Sequence, residues 1–174
     1  YFSKNNKVEI LTIYKHSEGK LKFKASIKKF RLNIARNKSG IFNKLINNFL
    51  VVAKIRKIIK KNDSDLIISF LNTTNILSIL SNIGLKKRLI ISERNDPKRQ
   101  KLKIYWRILR FCFYRFANLI TANSMNALKE LNHLVKKEKL VYLPNPIKIE
   151  RIKSLNKKEK IILAVGRLVH QKGF

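Results

Sequence analysis

Leu66-Ile67-Ile68-Ser69-Phe70-Leu71-Asn72-Thr73-Thr74-Asn75-Ile76-Leu77-Ser78-Ile79-Leu80-Ser81-Asn82-Ile83-Gly84-Leu85 carries no charge in a chain otherwise crowded with lysine. Its length would suit a bilayer crossing. The amides and hydroxyls of Asn72, Thr73, Thr74, Asn75, Ser78, Ser81 and Asn82 are costly in hydrocarbon and argue against one. A strand over residues 65–70, apolar enough to be buried on both faces, followed by a helix over 73–83 that Gly84 ends, accounts for the same run. This strand–helix unit decides the fold class.

The same alternation extends outward in both directions. Upstream, Val8-Glu9-Ile10-Leu11-Thr12-Ile13-Tyr14 is rich in β-branched residues and reads as a strand, and 27–34 is a weaker one. Across 41–61, Leu45, Ile46, Phe49, Val52, Ala53, Arg56 and Ile59 recur at helical spacing. Downstream come a buried strand at 88–92, a helix at 104–116, a strand at 119–122 and a helix at 124–134 with Ser124 as N-cap. A last strand at 140–143 is stopped by Pro144-Asn145-Pro146. Strands alternating with helices predict an α/β fold, a doubly wound parallel sheet with helices on both faces. Ligands of such sheets bind beyond the carboxyl ends of the strands. Ser69, the loop Ser92-Glu93-Arg94-Asn95-Asp96 and Asn123 all follow strands and are expected to share that rim.

Composition narrows the function classes. Hydrophobic residues make up 45% of the 174, which is too many for a disordered chain. Cys112 stands alone, so neither a disulfide scaffold nor a thiolate zinc site is available, and no aspartate-rich metal motif occurs. Lys and Arg outnumber Asp and Glu 40 to 10, giving a net charge of +30. That charge suits a polyanionic partner, yet Lys, Ile and Asn are also the residues an AT-rich genome over-supplies. With no zinc-finger spacing, helix-turn-helix or basic-aromatic motif, an anionic membrane fits better than specific nucleic acid. A non-catalytic basic module on membrane or nucleic acid is the alternative to an enzyme.

Three segments organise the chain: a domain over 1–147, a charged connector over 148–160 and a new unit from 161 to 174. The last opens with the strand Ile161-Ile162-Leu163-Ala164-Val165, then Gly166-Arg167 and, where a helix should start, Lys172-Gly173. A glycine that admits close approach, two cations and helix N-terminal amides together suit a phosphate. By itself the pattern reads more readily as a strand–turn–helix with two solvated cations.

Context turns that reading. The run from Ile161 to Phe174 resembles the opening of the C-terminal domain in retaining, family 4 glycosyltransferases of the GT-B fold. Ile90-Ile91-Ser92-Glu93-Arg94-Asn95-Asp96-Pro97 is similar to a loop of bacterial members that extend lipid-linked oligosaccharides. Leu119-Ile120-Thr121-Ala122-Asn123-Ser124 resembles their strand-to-helix junction, and Leu143-Pro144-Asn145-Pro146-Ile147 their interdomain crossing. The resemblance implies a Rossmann-like N-terminal, acceptor-binding domain, and sugar transfer from a UDP- or GDP-linked donor to a polyprenyl-diphosphate-linked or glycan acceptor. It implies retention, no metal and no further cofactor. Arg167 and Lys172 would be the catalytic pair, binding the donor diphosphate beside Gly166. Ser69, Ser92, Glu93, Arg94 and Asn95 would line the acceptor side of the cleft, and Pro144, Asn145 and Pro146 would form the hinge. Family members of this kind work in cell-envelope polysaccharide synthesis, in the cytoplasm, peripheral to the inner face of the plasma membrane.

The family's glycine-rich loop after the first strand and its acidic donor-gripping motif are not among these residues. A fragment truncated at both ends, inactive alone, is therefore expected. Residues 101–115 mix cations with aromatics as an interfacial helix does, but a core helix whose arginines reach water fits them as well.

Overall fold

The computed structural model of the chain describes residues 4–14, 27–34, 40–95 and 102–146. Strands β1 (Glu9–Tyr14) and β2 (Lys28–Ile34) precede a long helix, α1 (Ile41–Asn62). Then follow β3 (Leu66–Phe70), α2 (Asn72–Asn82), β4 (Arg88–Glu93), α3 (Ile104–Phe113), β5 (Leu119–Ala122), α4 (Met125–Leu131) and β6 (Leu140–Tyr142). Each element falls within a few residues of its sequence expectation. α3 and α4 both end early, α3 tightening into a 3₁₀ turn over Tyr114–Phe116.

All strand pairs are parallel, but they form two sheets where one was expected: β1–β2, and β3–β4–β5–β6 in that order. Between the sheets runs a groove of about 760 Å³, walled by Leu11 and Ile13 of β1 and Leu66, Ile68 and Phe70 of β3, with Ile55 and Ile59 of α1 below. The groove explains a second departure. β3 is buried on one face only, and Leu66, Ile68 and Phe70 stand about half exposed.

Register shows what the other face does. Ile67 pairs with Leu89, Ser69 with Ile91, Ile91 with Ile120 and Glu93 with Ala122, so these side chains share one side of the sheet. That side is the core. Right-handed crossovers stepping in one direction lay successive helices over the same face. Val51, Ile55 and Ile59 of α1, Ile76, Leu77 and Ile79 of α2, and Tyr114 and Ala117 after α3 are all buried there. Each large apolar side chain so removed from water contributes about 1.5–3 kcal/mol.

α2 lies in the middle of this layer, against α1 on one flank and α3 on the other. Seven of its eleven residues are buried, which is why the run 66–85 has no charge. Among the described residues no helix is long and apolar enough to cross a membrane. Its polar groups are spent inside the protein. Asn72, Asn75, Ser78 and Ser81 recur every third residue, and at about 100° per residue each step drifts about 60° around the helix. The series therefore sweeps from the α3 flank across the sheet to the α1 flank. Asn72 meets Tyr114, Asn75 meets Ser92 and Glu93 of β4, Ser78 meets Ser69 of β3, and Ser81 meets the Val52 carbonyl of α1. Arg56 closes the same helix, donating to the carbonyls of Ser81 and Ile83 at 3.1 and 2.5 Å. Gly84, just past the end, takes φ 75°, where a side chain would be strained.

Candidate functional site

The carboxyl ends of β3 to β6 form one rim, as expected, because the parallel registers align Phe70 with Ser92, Glu93 with Ala122, and Ala122 with Tyr142. The chain turns sharply there. Leu71 adopts φ 74°, which aims its amide at the Ser92 carbonyl (3.3 Å) and its carbonyl at the Asn75 amide (2.8 Å). Leu143 N–H donates to the Ala122 carbonyl at 2.9 Å, fixing where residues 143–146 leave the sheet. Ser124 caps α4 as its sequence position implied, accepting from the Ala127 amide at 3.2 Å.

Three residues assigned to the open cleft turn inward instead. Ser69 and Ser92 are buried, the first accepting from Ser78 at 3.1 Å and the second from Thr121 at 2.8 Å. Glu93 is wholly buried. Its Oε1 receives the Tyr114 hydroxyl, together with Asn75 Nδ2 at 3.3 Å and Asn72 Nδ2 at 3.4 Å. The physical reason is strand alternation: Ser69 and Glu93 point to the helix-covered face, and Ser92 packs its hydroxyl against the neighbouring strand. Their hydrogen bonds tie the rim ends of β3 and β4 to α2 and to β5.

The electrostatics of Glu93 follow from that position. Burial pushes its carboxyl above the ordinary value of 4.5, opposed by the hydrogen bonds from Tyr114, Asn75 and Asn72 and by the charge of Arg110. Its Oε2 has no hydrogen-bond partner among the described residues, so ionisation would leave half the carboxylate unsolvated. Burial, and then the Glu93 charge, raise the Tyr114 hydroxyl well above 10.0, which keeps it a donor at every physiological pH. Sequence reasoning did not find Tyr114, Asn72 or Asn75 as partners. The three-residue spacing of polar groups along α2 was the available signal.

Arg94 and Asn95 do reach the rim. Arg94 is half-buried; its Nη1 donates to Asn145 Oδ1 at 2.7 Å and its guanidinium lies 5.7 Å from the Phe70 ring centroid. Asn123 Nδ2 donates to the Arg94 carbonyl at 3.5 Å. One arginine thus ties the ends of β3, β4 and β5 to the segment after β6. Asn95 sits at the rim end of the groove between the sheets. Pro144, Asn145 and Pro146 are exposed. Gly166, Arg167 and Lys172, the connector 148–160 and the strand 161–165 lie outside the described residues. Among the described residues no cluster of His, Cys, Asp and Glu is arranged to hold a metal.

Comparison with known proteins extends this picture. The model of Glycosyltransferase Family 4 matches residues 7–151. A Campylobacter jejuni protein is 37% identical over 133 residues, covering 76% of this chain and 37% of its own. It is named GalNAc-α-(1→4)-GalNAc-α-(1→3)-diNAcBac-PP-undecaprenol α-1,4-N-acetyl-D-galactosaminyltransferase. Among solved structures, the UDP-N-acetylglucosamine 2-epimerase of Rickettsia bellii superposes with a TM-score of 0.55 at 12% identity, over 79% of this chain and 44% of that one. Anabaena HepE, solved with UDP and glucose, superposes with a TM-score of 0.53 at 14% identity, over 81% and 45%. At such identities the likeness concerns the fold alone, a Rossmann-like α/β domain of the GT-B type. The chain spans less than half the length of each of these relatives.

Proposed function

The chain belongs to glycosyltransferase family 4, and on that premise we propose that it supplies the acceptor-side domain of an enzyme that transfers a sugar from a nucleotide-sugar to a polyprenyl-diphosphate-linked glycan. The observation that carries the reading is the 37% identity, over most of this chain, to a transferase whose name specifies an undecaprenol-linked acceptor. In this reading the rim at the ends of β3 to β6 faces the donor domain, and 143–146 begins the crossing to it. A further parallel strand of the whole enzyme fills the groove, pairing with the free edges of β1 and β3.

The chemistry needs few groups from this half. The acceptor hydroxyl oxygen bonds to the anomeric carbon as the bond from that carbon to the donor diphosphate breaks. The hydroxyl proton passes to the departing phosphate on the same face, so configuration is retained. Arg167 and Lys172, beside Gly166, neutralise the charge growing on the diphosphate, and no metal is required. Arg94 does not grip phosphate in this scheme, since Asn145 and Phe70 already engage its side chain. The enzyme works peripherally at the cytoplasmic face of the membrane that carries its acceptor.

The test is transfer by the full-length enzyme from UDP- and GDP-sugars to a short-chain polyprenyl-diphosphate glycan, with excess chelator present. An α-anomeric product from an α-linked donor, undiminished by chelator, is expected. An inverted product, a requirement for metal, or no transfer from any nucleotide-sugar would refute the corresponding part of the reading.

A further inference from the structure

α3 has one more apolar face than the fold uses. Trp106 is buried beneath it, and Tyr105, Leu109 and Phe113 pack against the core. One such stripe is what a helix lying on a sheet needs. Yet Ile104, Ile108 and Phe111, spaced i, i+4, i+7, form a second stripe that is 65%, 56% and 63% exposed, and Phe116 stands exposed just beyond. Lys103, Arg107 and Arg115 are exposed among them, the Arg115 guanidinium 5.4 Å from the Phe116 ring centroid. No acidic residue occurs between Asp96 and Glu130. The surface is therefore apolar and cationic at once, and its own stretch of sequence supplies no carboxylate to offset the charge.

Its orientation matters too. α3 carries the chain from the end of β4 back to the start of β5, so it runs antiparallel to the strands and its first turn lies at the rim end of the domain. Resting on the reading that the acceptor is lipid-linked, we propose that this face of α3 docks on an anionic bilayer. Ile104, Ile108, Phe111 and Phe116 enter the headgroup–acyl boundary, and Lys103, Arg107 and Arg115 lie on the lipid phosphates. Charge complementarity selects the partner: an uncharged apolar surface would satisfy the isoleucines and leave the cations unpaired, whereas an anionic lipid surface takes both. Docking by this face sets the rim at headgroup height, where a membrane-anchored diphosphate presents its glycan.

The experiment is flotation of the full-length enzyme with vesicles of phosphatidylglycerol and phosphatidylcholine, and with phosphatidylcholine alone. Wild type should float with the anionic vesicles only, and raising the salt to about 1 M should weaken but not abolish binding, because the apolar stripe is unscreened. I108S/F111S and R107Q/R115Q should each reduce partition about tenfold or more. Their thermal midpoints should change little, since these side chains are mostly exposed. Transfer to a water-soluble acceptor should also be unchanged, which separates docking from catalysis. Vesicle binding by I108S/F111S equal to wild type, or failure of wild type to bind at low salt, overturns the proposal. So does a wild-type dimer that I108S/F111S converts to monomer with vesicle binding intact, because the stripe would then be covered by a second copy. Vesicle binding as expected, with no transfer from any nucleotide-sugar, would leave docking standing and refute the activity.

Discussion

Replacing Glu93 tests whether its carboxyl is a structural keystone or a group awaiting a ligand. In Glu93→Ala, three buried donors lose their common acceptor. Asn75 Nδ2 keeps the Ser92 carbonyl at 3.2 Å and Asn72 Nδ2 keeps the Tyr114 oxygen at 3.3 Å. Tyr114 is completely buried, and its hydroxyl proton has no second acceptor named in this network. One orphaned donor costs about 1–3 kcal/mol, and the space left by the side chain adds a cavity term of about 1 kcal/mol. A loss of about 2–4 kcal/mol is expected, lowering Tm by roughly 5–15 °C for a protein of this size. Glu93→Gln keeps an acceptor oxygen and should cost less than about 1 kcal/mol near neutrality. The two also differ in pH response. Because the folded carboxyl titrates above 4.5, the folded state holds a proton that the unfolded chain has already released. Its contribution is complete below about pH 4.5 and is lost as pH rises through the folded value. Wild type should thus lose stability relative to Glu93→Gln as pH climbs above that point. Urea unfolding monitored by circular dichroism from pH 4 to 8 measures both effects. A Glu93→Ala variant within about 1 kcal/mol of wild type, or identical pH profiles for wild type and Glu93→Gln, would refute the reasoning.

Arg94→Ala and Asn145→Ala should each destabilise by about 0.5–1.5 kcal/mol, and their double-mutant cycle should show coupling near 1 kcal/mol; additivity in chemical denaturation would mean the contact is idle. In the full-length enzyme, Arg167→Ala and Lys172→Ala should each lower kcat/KM roughly 10²- to 10³-fold with folding intact. Lys172→Arg should recover part of the loss and His170→Ala should cost far less, as steady-state kinetics will register. Ser124→Ala should cost about 1 kcal/mol and Ser124→Asp almost nothing, since only the cap to the Ala127 amide changes; thermal unfolding decides.

The local signals were strong in this chain, and they were enough for the elements. Apolar runs bounded by polar turns placed β3, β4 and β5, helical spacing placed α1, and Ser124 announced α4. The uncharged run 66–85 was legible as strand plus helix because seven polar residues broke it. What stayed illegible was direction. Whether Glu93 looks into a cleft or beneath a helix depends on which face of the sheet α2 and α3 cover, and that is set by crossover handedness and register between segments far apart in sequence. The same holds for Arg94, whose partners Phe70 and Asn145 lie 24 residues before it and 51 after.

The sequence by itself determined the order of strands and helices, the all-parallel class and the charge, because periodicity, capping and composition act over a few residues. Only the tertiary structure decided that β1–β2 stand apart from β3–β6, that Ser69, Ser92 and Glu93 are interior, and that α3 shows a second apolar face to the outside. Each of those outcomes depends on which surfaces are removed from water when distant elements pack. No residue pattern read along one segment carries that information.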